Sequence, residues 1–229
     1  MADIRIKASQ VTPAAIGEAD LGYAQGTKQG AIYGADWIEQ AIRAGKGWSI
    51  TVGSMTAGFG PALITGGGAG TCIDQDQPEI AIGLSSGWLV PIRIMVACHI
   101  DIDAADDDAD IIATVDTALN GVSTAPTGTA ETPDNMLDGA GGSCSANCYS
   151  AITTDITDPT VSQILDYCNI VSDAVNVDTH QLKMDYAPKY PRRFAGPCAL
   201  YVYWGGVAAT AAIATVEFLV LDTSWLPIS

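Results

Sequence analysis

The longest regular pattern in the chain lies between Trp88 and Asp103, where Ile92, Ile94, Val96, Cys98, Ile100 and Ile102 fall on one parity and Arg93, His99, Asp101 and Asp103 on the other. A period of two puts the apolar set on one face of an extended strand. Shorter runs repeat the theme: Trp48-Ser49-Ile50-Thr51-Val52, Glu79 to Leu84, Ile111 to Val115, Leu200 to Trp204 and Ala214 to Leu221 all read as strands. Two places carry a helical signature instead. Asp36 as N-cap, Glu39 three residues on, an apolar face of Trp37, Ile38, Ala41 and Ile42, and a stop at Gly45 predict a short helix. Asp158-Pro159 followed by Val161, Ile164, Leu165 and Cys168 predicts a second, capped helix, with a strand as the alternative for Ile170 to Val177.

The connections are rich in turn formers. Ser85-Ser86-Gly87 reads as a hairpin turn, Gly66-Gly67-Gly68-Ala69-Gly70 as a loop, and Asn120 to Ser150 as a loop much longer than the usual connection. Seven or eight strands with two short helices select an all-β, two-sheet sandwich or barrel over a parallel sheet with alternating helices. No low-complexity linker or fixed-period repeat divides the chain, so 1–229 is expected to be a single domain with an extended N-terminal segment.

Composition narrows the function classes. Among 229 residues, 48% are hydrophobic and 16% charged, which excludes a disordered chain. The 26 acidic against 10 basic side chains leave a net charge of −16, which opposes attraction to nucleic acid or to an anionic membrane surface. The uncharged stretch from Phe194 to Val216 contains Pro197 and Gly205-Gly206, which suit a hairpin better than a membrane span. The start, Met1 to Lys7, lacks the apolar run of a secretory signal, so synthesis in the cytoplasm is expected.

Motifs for chemistry are sparse. Gly83-Leu84-Ser85-Ser86-Gly87 has the G-x-S-x-G form, but the residues after it alternate as a strand and include Pro91, whereas a nucleophile elbow requires a helix there. The acidic stretch Asp101, Asp103, Asp106, Asp107, Asp108 and Asp110 departs from a calcium loop at Asp106 and Ile112 and reads as a solvated acidic turn. His99 and His180 are the only histidines, and the Gly66 to Gly70 loop lacks the residues of a phosphate loop. With no nucleophile and base pair in view, the expectation is a non-enzyme without cofactor or metal. Of six cysteines, only Cys144 and Cys148 are close in sequence, and they are the candidate disulfide pair. In Tyr186 to Phe194, prolines and aromatics suggest an extended crossing segment in which Tyr190, Arg192 and Arg193 contact a neighbouring subunit, the guanidiniums pairing with its acidic excess.

The stretch Pro78 to Asp103, the late segment Phe194-Ala195-Gly196-Pro197-Cys198-Ala199-Leu200-Tyr201-Val202-Tyr203-Trp204-Gly205-Gly206 and the closing strand Ala214 to Leu221 together resemble a single jelly-roll major capsid protein of an icosahedral virus. The resemblance implies a jelly-roll β-sandwich of about eight antiparallel strands with one or two short helices and long loops. It implies a virion protein, made in the host cytoplasm, whose partners are copies of itself in a homo-oligomeric shell and other virion proteins. Many capsid proteins of naked viruses carry an Arg-rich amino-terminal arm, whereas this chain has only Arg5 and Lys7 near its start. Direct genome binding is therefore not expected, and the resemblance narrows to internal-membrane viruses of bacteria and archaea, in which a membrane underlies the shell. A β-sandwich that binds glycans or a receptor, as an adhesin or fibre head with an aromatic platform of Trp88, Tyr186, Tyr190 and Trp204, is the alternative.

Overall fold

The computed structural model describes residues 6–7, 24–25, 37–54, 73–102, 108–120, 122, 126–137, 142–171, 178–206 and 209–223. The glycine loop at 66–70, Asp36, Cys72 and the acidic residues Asp103, Asp106 and Asp107 lie outside them. In chain order the strands begin with β1 (Ile6–Lys7) and β2 (Ala24–Gln25), a small parallel pair, followed by helix α1 (Trp37–Arg43). Then come β3 (Gly47–Val52), β4 (Ile80–Leu84), β5 (Trp88–Ile102), β6 (Asp108–Asp116), β7 (Thr129–Glu131), β8 (Asp134–Asn135) and β9 (Asn147–Ser150). The last five are β10 (Val161–Val171), β11 (Asp178–Tyr186), β12 (Phe194–Ala195), β13 (Cys198–Gly205) and β14 (Ala209–Leu221).

One sheet has the order β11-β5-β14-β3-β8, with β12 also on β5, and the other has the order β10-β6-β13-β4-β9-β7. Eight of these strands pair in a nested, antiparallel manner: β3 with β14, β4 with β13, β5 with β11 and β6 with β10. First joins last, second joins second-last, and so inward, which is an antiparallel ribbon folded over and wrapped into two sheets. That connectivity is a jelly roll.

Wrapping has a local consequence that the sequence pattern hides. β4 and β5 lie in opposite sheets, as do β13 and β14, so neither Ser85-Ser86-Gly87 nor the uncharged stretch from Phe194 to Val216 makes the expected hairpin. Each is a corner between layers. At the first corner Gly87 has φ +92°, and a Cβ there would sit 2.5 Å from the Leu221 carbonyl oxygen, so only glycine fits. The long interval from Asn120 to Ser150 is not structureless either, because it supplies β7, β8 and β9 to the outer edges of both sheets.

The main core lies between the sheets. β3, β5 and β14 contribute Trp48, Ile50, Leu89, Ile94, Val96, Val216 and Phe218, while β4, β6 and β13 contribute Ile80, Ile82, Ile111, Val115, Leu200, Val202 and Trp204. Each such side chain removed from water stabilises the fold by about 1.5–3 kcal/mol before entropy is counted. β13 is buried along its whole length because its other face, Ala199, Tyr201 and Tyr203, is capped by Val122, Ile152 and Ile156. On the first sheet α1 forms a smaller cap, with Ala41, Ile38 and Ile42 over Val90, Trp88, Ile92, Leu219 and Leu221. The α1 signal in the sequence is realised, with Gly45 at φ +71° just beyond its end.

Two expectations are corrected by bulges. Ile92 does not share a face with Ile94, Val96 and Cys98: it lies under α1, while they lie in the main core. The register of β14 on β5 slips between Glu217 opposite Arg93 and Phe218 opposite Pro91, so the strand changes parity at Ile92. The second helix predicted from Asp158 is strand β10, paired with β6 along its length. Bulges between Val161 and Gln163 and between Ile164 and Asp166 turn its alternation into the three-residue spacing that imitates a helix face. No helix among the described residues is long and apolar enough to cross a membrane.

Candidate assembly surface

β10 and β11 are edge strands of different sheets, and they lie against one another along one side of the sandwich. An edge strand presents unpaired backbone N–H and C=O groups, and long apolar edges are sites of association. β10 spans eleven residues with Asp166 as its one charged side chain. Ile164 is 59% exposed, and Tyr167 and Val161 beside it are also exposed. Tyr167 is fixed in place, its hydroxyl donating to Asp110 Oδ1 at 2.7 Å.

Asp116, at the end of β6, sets where β10 begins. Its buried carboxylate accepts from the Ala118 amide at 2.9 Å, the Asn120 side-chain amide at 2.9 Å and the Thr160 amide at 3.0 Å. Two chain segments therefore hang on one side chain. Asn120 in turn accepts through its carbonyl from the Tyr201 hydroxyl, which ties this anchor to the cap of the second sheet.

The segment after β11 places the three residues expected at a subunit contact in three different surroundings. Arg192 donates from Nη1 to Gln163 Oε1 of β10 at 2.6 Å, so it belongs to the edge. Tyr186 lies close by, its phenol pushed up by burial, lowered in part by Arg192 and raised by Asp166. Arg193 turns the other way and stacks over the Trp37 ring of α1, 6.0 Å from its centroid. Tyr190 is 79% exposed, with the Lys189 ammonium 5.4 Å from its ring centroid. The helical reading of Val161 to Cys168 turns Ile164 inward, whereas on the strand its side chain faces solvent.

No protein-family model matches the chain, and no curated protein matches it either. The aromatic platform of the glycan-binding alternative does not form: Trp204 is in the main core, Trp88 packs in the cluster under α1, and Tyr186 packs against the main core. Of the four, Tyr190 alone is an exposed side chain.

Cys144 and Cys148 are both free thiols, hydrogen-bonded to each other. Cys148 is buried on β9, and Cys144 packs half-buried against the same core. The bond from Cys148 holds the Cys144 thiol below its ordinary range, while the same contact and burial push Cys148 up. The pair is far from the β10 edge in sheet order, so it takes no part in the candidate surface. Of the acidic stretch, Asp110 is buried in β6 as the acceptor of the Tyr167 hydroxyl, an internal role and not that of a solvated turn.

Proposed function

We propose that the chain is a structural virion protein that self-assembles into an icosahedral capsid shell, without direct contact with the genome. The nested pairing of eight strands carries this reading, because jelly rolls of this connectivity are an architecture of viral capsid subunits as well as of lectins and cupins. This is an analogy at the level of fold. Two residue-level features support it: an apolar, nearly uncharged edge strand at β10, and a charge of −16 that disfavours phosphate. The partners are then copies of the chain and other virion proteins, with a membrane beneath the shell.

Negative-stain electron microscopy and sedimentation of the purified protein test the reading. Shells or sheets are expected, and Ile164→Asp should abolish them while leaving thermal unfolding unchanged, since Ile164 is exposed. Added nucleic acid should not bind. A protein that stays monomeric at every concentration and binds a glycan array overturns the reading in favour of the alternative.

A further inference from the structure

The segment that enters β9 turns its alternate side chains into one place. Cys144, Ala146 and Cys148 all pack on the main core, Ala146 and Cys148 buried and Cys144 half-buried. Cys148 is fixed by the sheet, paired with Ile82 of β4 on one side and with Glu131 of β7 on the other. Cys144 precedes the strand and is held by its contacts instead. Ala146 links the two: its carbonyl accepts from Cys148 Sγ at 3.7 Å, and its amide hydrogen-bonds the Cys144 sulfur. The two thiols also hydrogen-bond each other, and both are free. Sulfur thus lies next to sulfur with no bond between them.

Their surroundings differ as those of a reactive thiol and its resolving partner do. Accepted hydrogen bonds stabilise a sulfur as thiolate, and the thiolate is the form that peroxide oxidises. Cys144 accepts from Cys148 and from the Ala146 amide, which hold its thiol below the ordinary range, and it keeps part of its surface in water. For Cys98, Cys168 and Cys198 burial is the largest influence and acts the other way, pushing Cys98 up to about 12 and the other two up to about 11. Cys148 is also pushed up, first by its hydrogen bond to Cys144, then by burial and by the charges of Cys144 and Glu131. The two influences that come from Cys144 vanish once that sulfur is oxidised, which frees Cys148 to react second.

We propose that Cys144 and Cys148 are a peroxide-responsive thiol pair, which hydrogen peroxide converts reversibly into an internal disulfide. In the first step the Cys144 thiolate attacks one peroxide oxygen, the O–O bond breaks, and the departing hydroxide takes up a proton, leaving Cys144 as a sulfenic acid and one water. In the second step the Cys148 sulfur attacks the Cys144 sulfur, the S–O bond breaks, and the hydroxide leaves with the Cys148 proton as a second water. Two thiols and one peroxide give one disulfide and two waters. A small, uncharged oxidant suits a half-buried thiol on a chain of charge −16, whereas oxidised glutathione is large and anionic. Since β6, β13 and β4 separate β9 from β10, the bond leaves the candidate surface as it is, and the pair stands or falls independently of the capsid reading.

Peroxide treatment of the reduced full chain, followed by alkylation of the remaining thiols and peptide mass spectrometry, tests the pair. A bridge from Cys144 to Cys148 is expected at a dose at least about tenfold below the one that consumes Cys98, and dithiothreitol should restore both thiols. In Cys148→Ala, oxidation should stop at a Cys144 sulfenic acid that dimedone traps, and in Cys144→Ala the Cys148 thiol should stay reduced at the same dose. The mapping on the wild-type chain requires neither variant, so it decides the matter even if one of them fails to fold. The proposal is overturned if both thiols survive a large excess of peroxide, or a dose that oxidises Cys98, Cys168 or Cys198. It is equally overturned if either thiol is found bridged to Cys72 or to a second copy of the chain.

Discussion

Replacing Asp116 by alanine tests whether one buried carboxylate organises the approach to β10. The side chain is fully buried and accepts three hydrogen bonds, from Ala118, Asn120 and Thr160. Hydrogen bonds to a charged group contribute about 1.5–3 kcal/mol each, and truncation strands the two backbone donors as well. The three are not additive, since they share one acceptor, so the expected loss is about 3–5 kcal/mol, as for breaking a buried charged network. Against a domain stability of about 5–15 kcal/mol, that is a large part of the whole. Urea unfolding followed by tryptophan fluorescence measures it, because Trp204 and Trp48 are in the main core. Asp116→Asn can turn its oxygen toward Asn120 and Thr160 and lose only the Ala118 bond, so it should fall roughly midway. A loss below about 1 kcal/mol in Asp116→Ala would refute the reasoning, since that is the ordinary effect of a substitution with no network behind it.

Two further outcomes follow from the surface and the thiols. In brief alkylation of the native protein, Cys144 should label first among the five described cysteines, since its thiol is held low, whereas burial pushes Cys98 up to about 12; peptide mass spectrometry reads the order, and rapid labelling of Cys98 contradicts it. Arg93 grips Asp185 across β5 and β11 through Nε at 3.0 Å and Nη2 at 3.1 Å, holding that carboxyl below its ordinary 3.8. A lowered folded value means stability that is present above pH 3.8 and lost as pH falls through the folded value. Asp185→Asn should therefore be slightly less stable than wild type at neutral pH and indistinguishable from it in strong acid; because both groups are exposed, a large gap at high salt would contradict a surface pair.

Where a strand keeps its parity, the residues announce the fold. β3, β4, β13 and β14 lie where alternating or continuous apolar runs predict them, because burial on one or both faces leaves a simple signature. Legibility fails at edges and bulges. β11 was invisible because, among its described side chains, only Met184 is buried, and β10 was disguised by two bulges that mimic helical spacing. The same failure conceals the candidate surface, since Ile164 looks like core only if the segment is a helix. Pro188 and Pro191 mark an extended crossing segment in the sequence, but nothing local separates Arg192, on Gln163, from Arg193, on Trp37. Partner choice there depends on which sheet lies on which side, a property of the wrapped ribbon alone.

Charge decides how copies could meet. Across the whole chain the balance is −16, yet residues 161–193, which hold both edge strands and the crossing segment, carry four acids (Asp166, Asp173, Asp178, Asp185) and four bases (Lys183, Lys189, Arg192, Arg193). The remainder of the sequence bears the entire excess, so this segment adds no net charge to the repulsion between copies. Two modes of association then respond to salt in opposite ways. If Arg192 and its neighbours reach acids on the next copy, added salt screens the attraction and dissolves the assembly. If apolar contact at Ile164 and Tyr167 brings copies together against a long-range repulsion, screening removes the obstacle and assembly strengthens. Arg192 is already held by Gln163 and Arg193 by Trp37, whereas Val161, Ile164 and Tyr167 of β10 face solvent, so the second response is expected. Light scattering between about 0.01 and 0.5 M sodium chloride distinguishes them, because the screening length shrinks severalfold over that range. Particles that form only at the low end would show that guanidinium pairing, and not the β10 face, joins the copies.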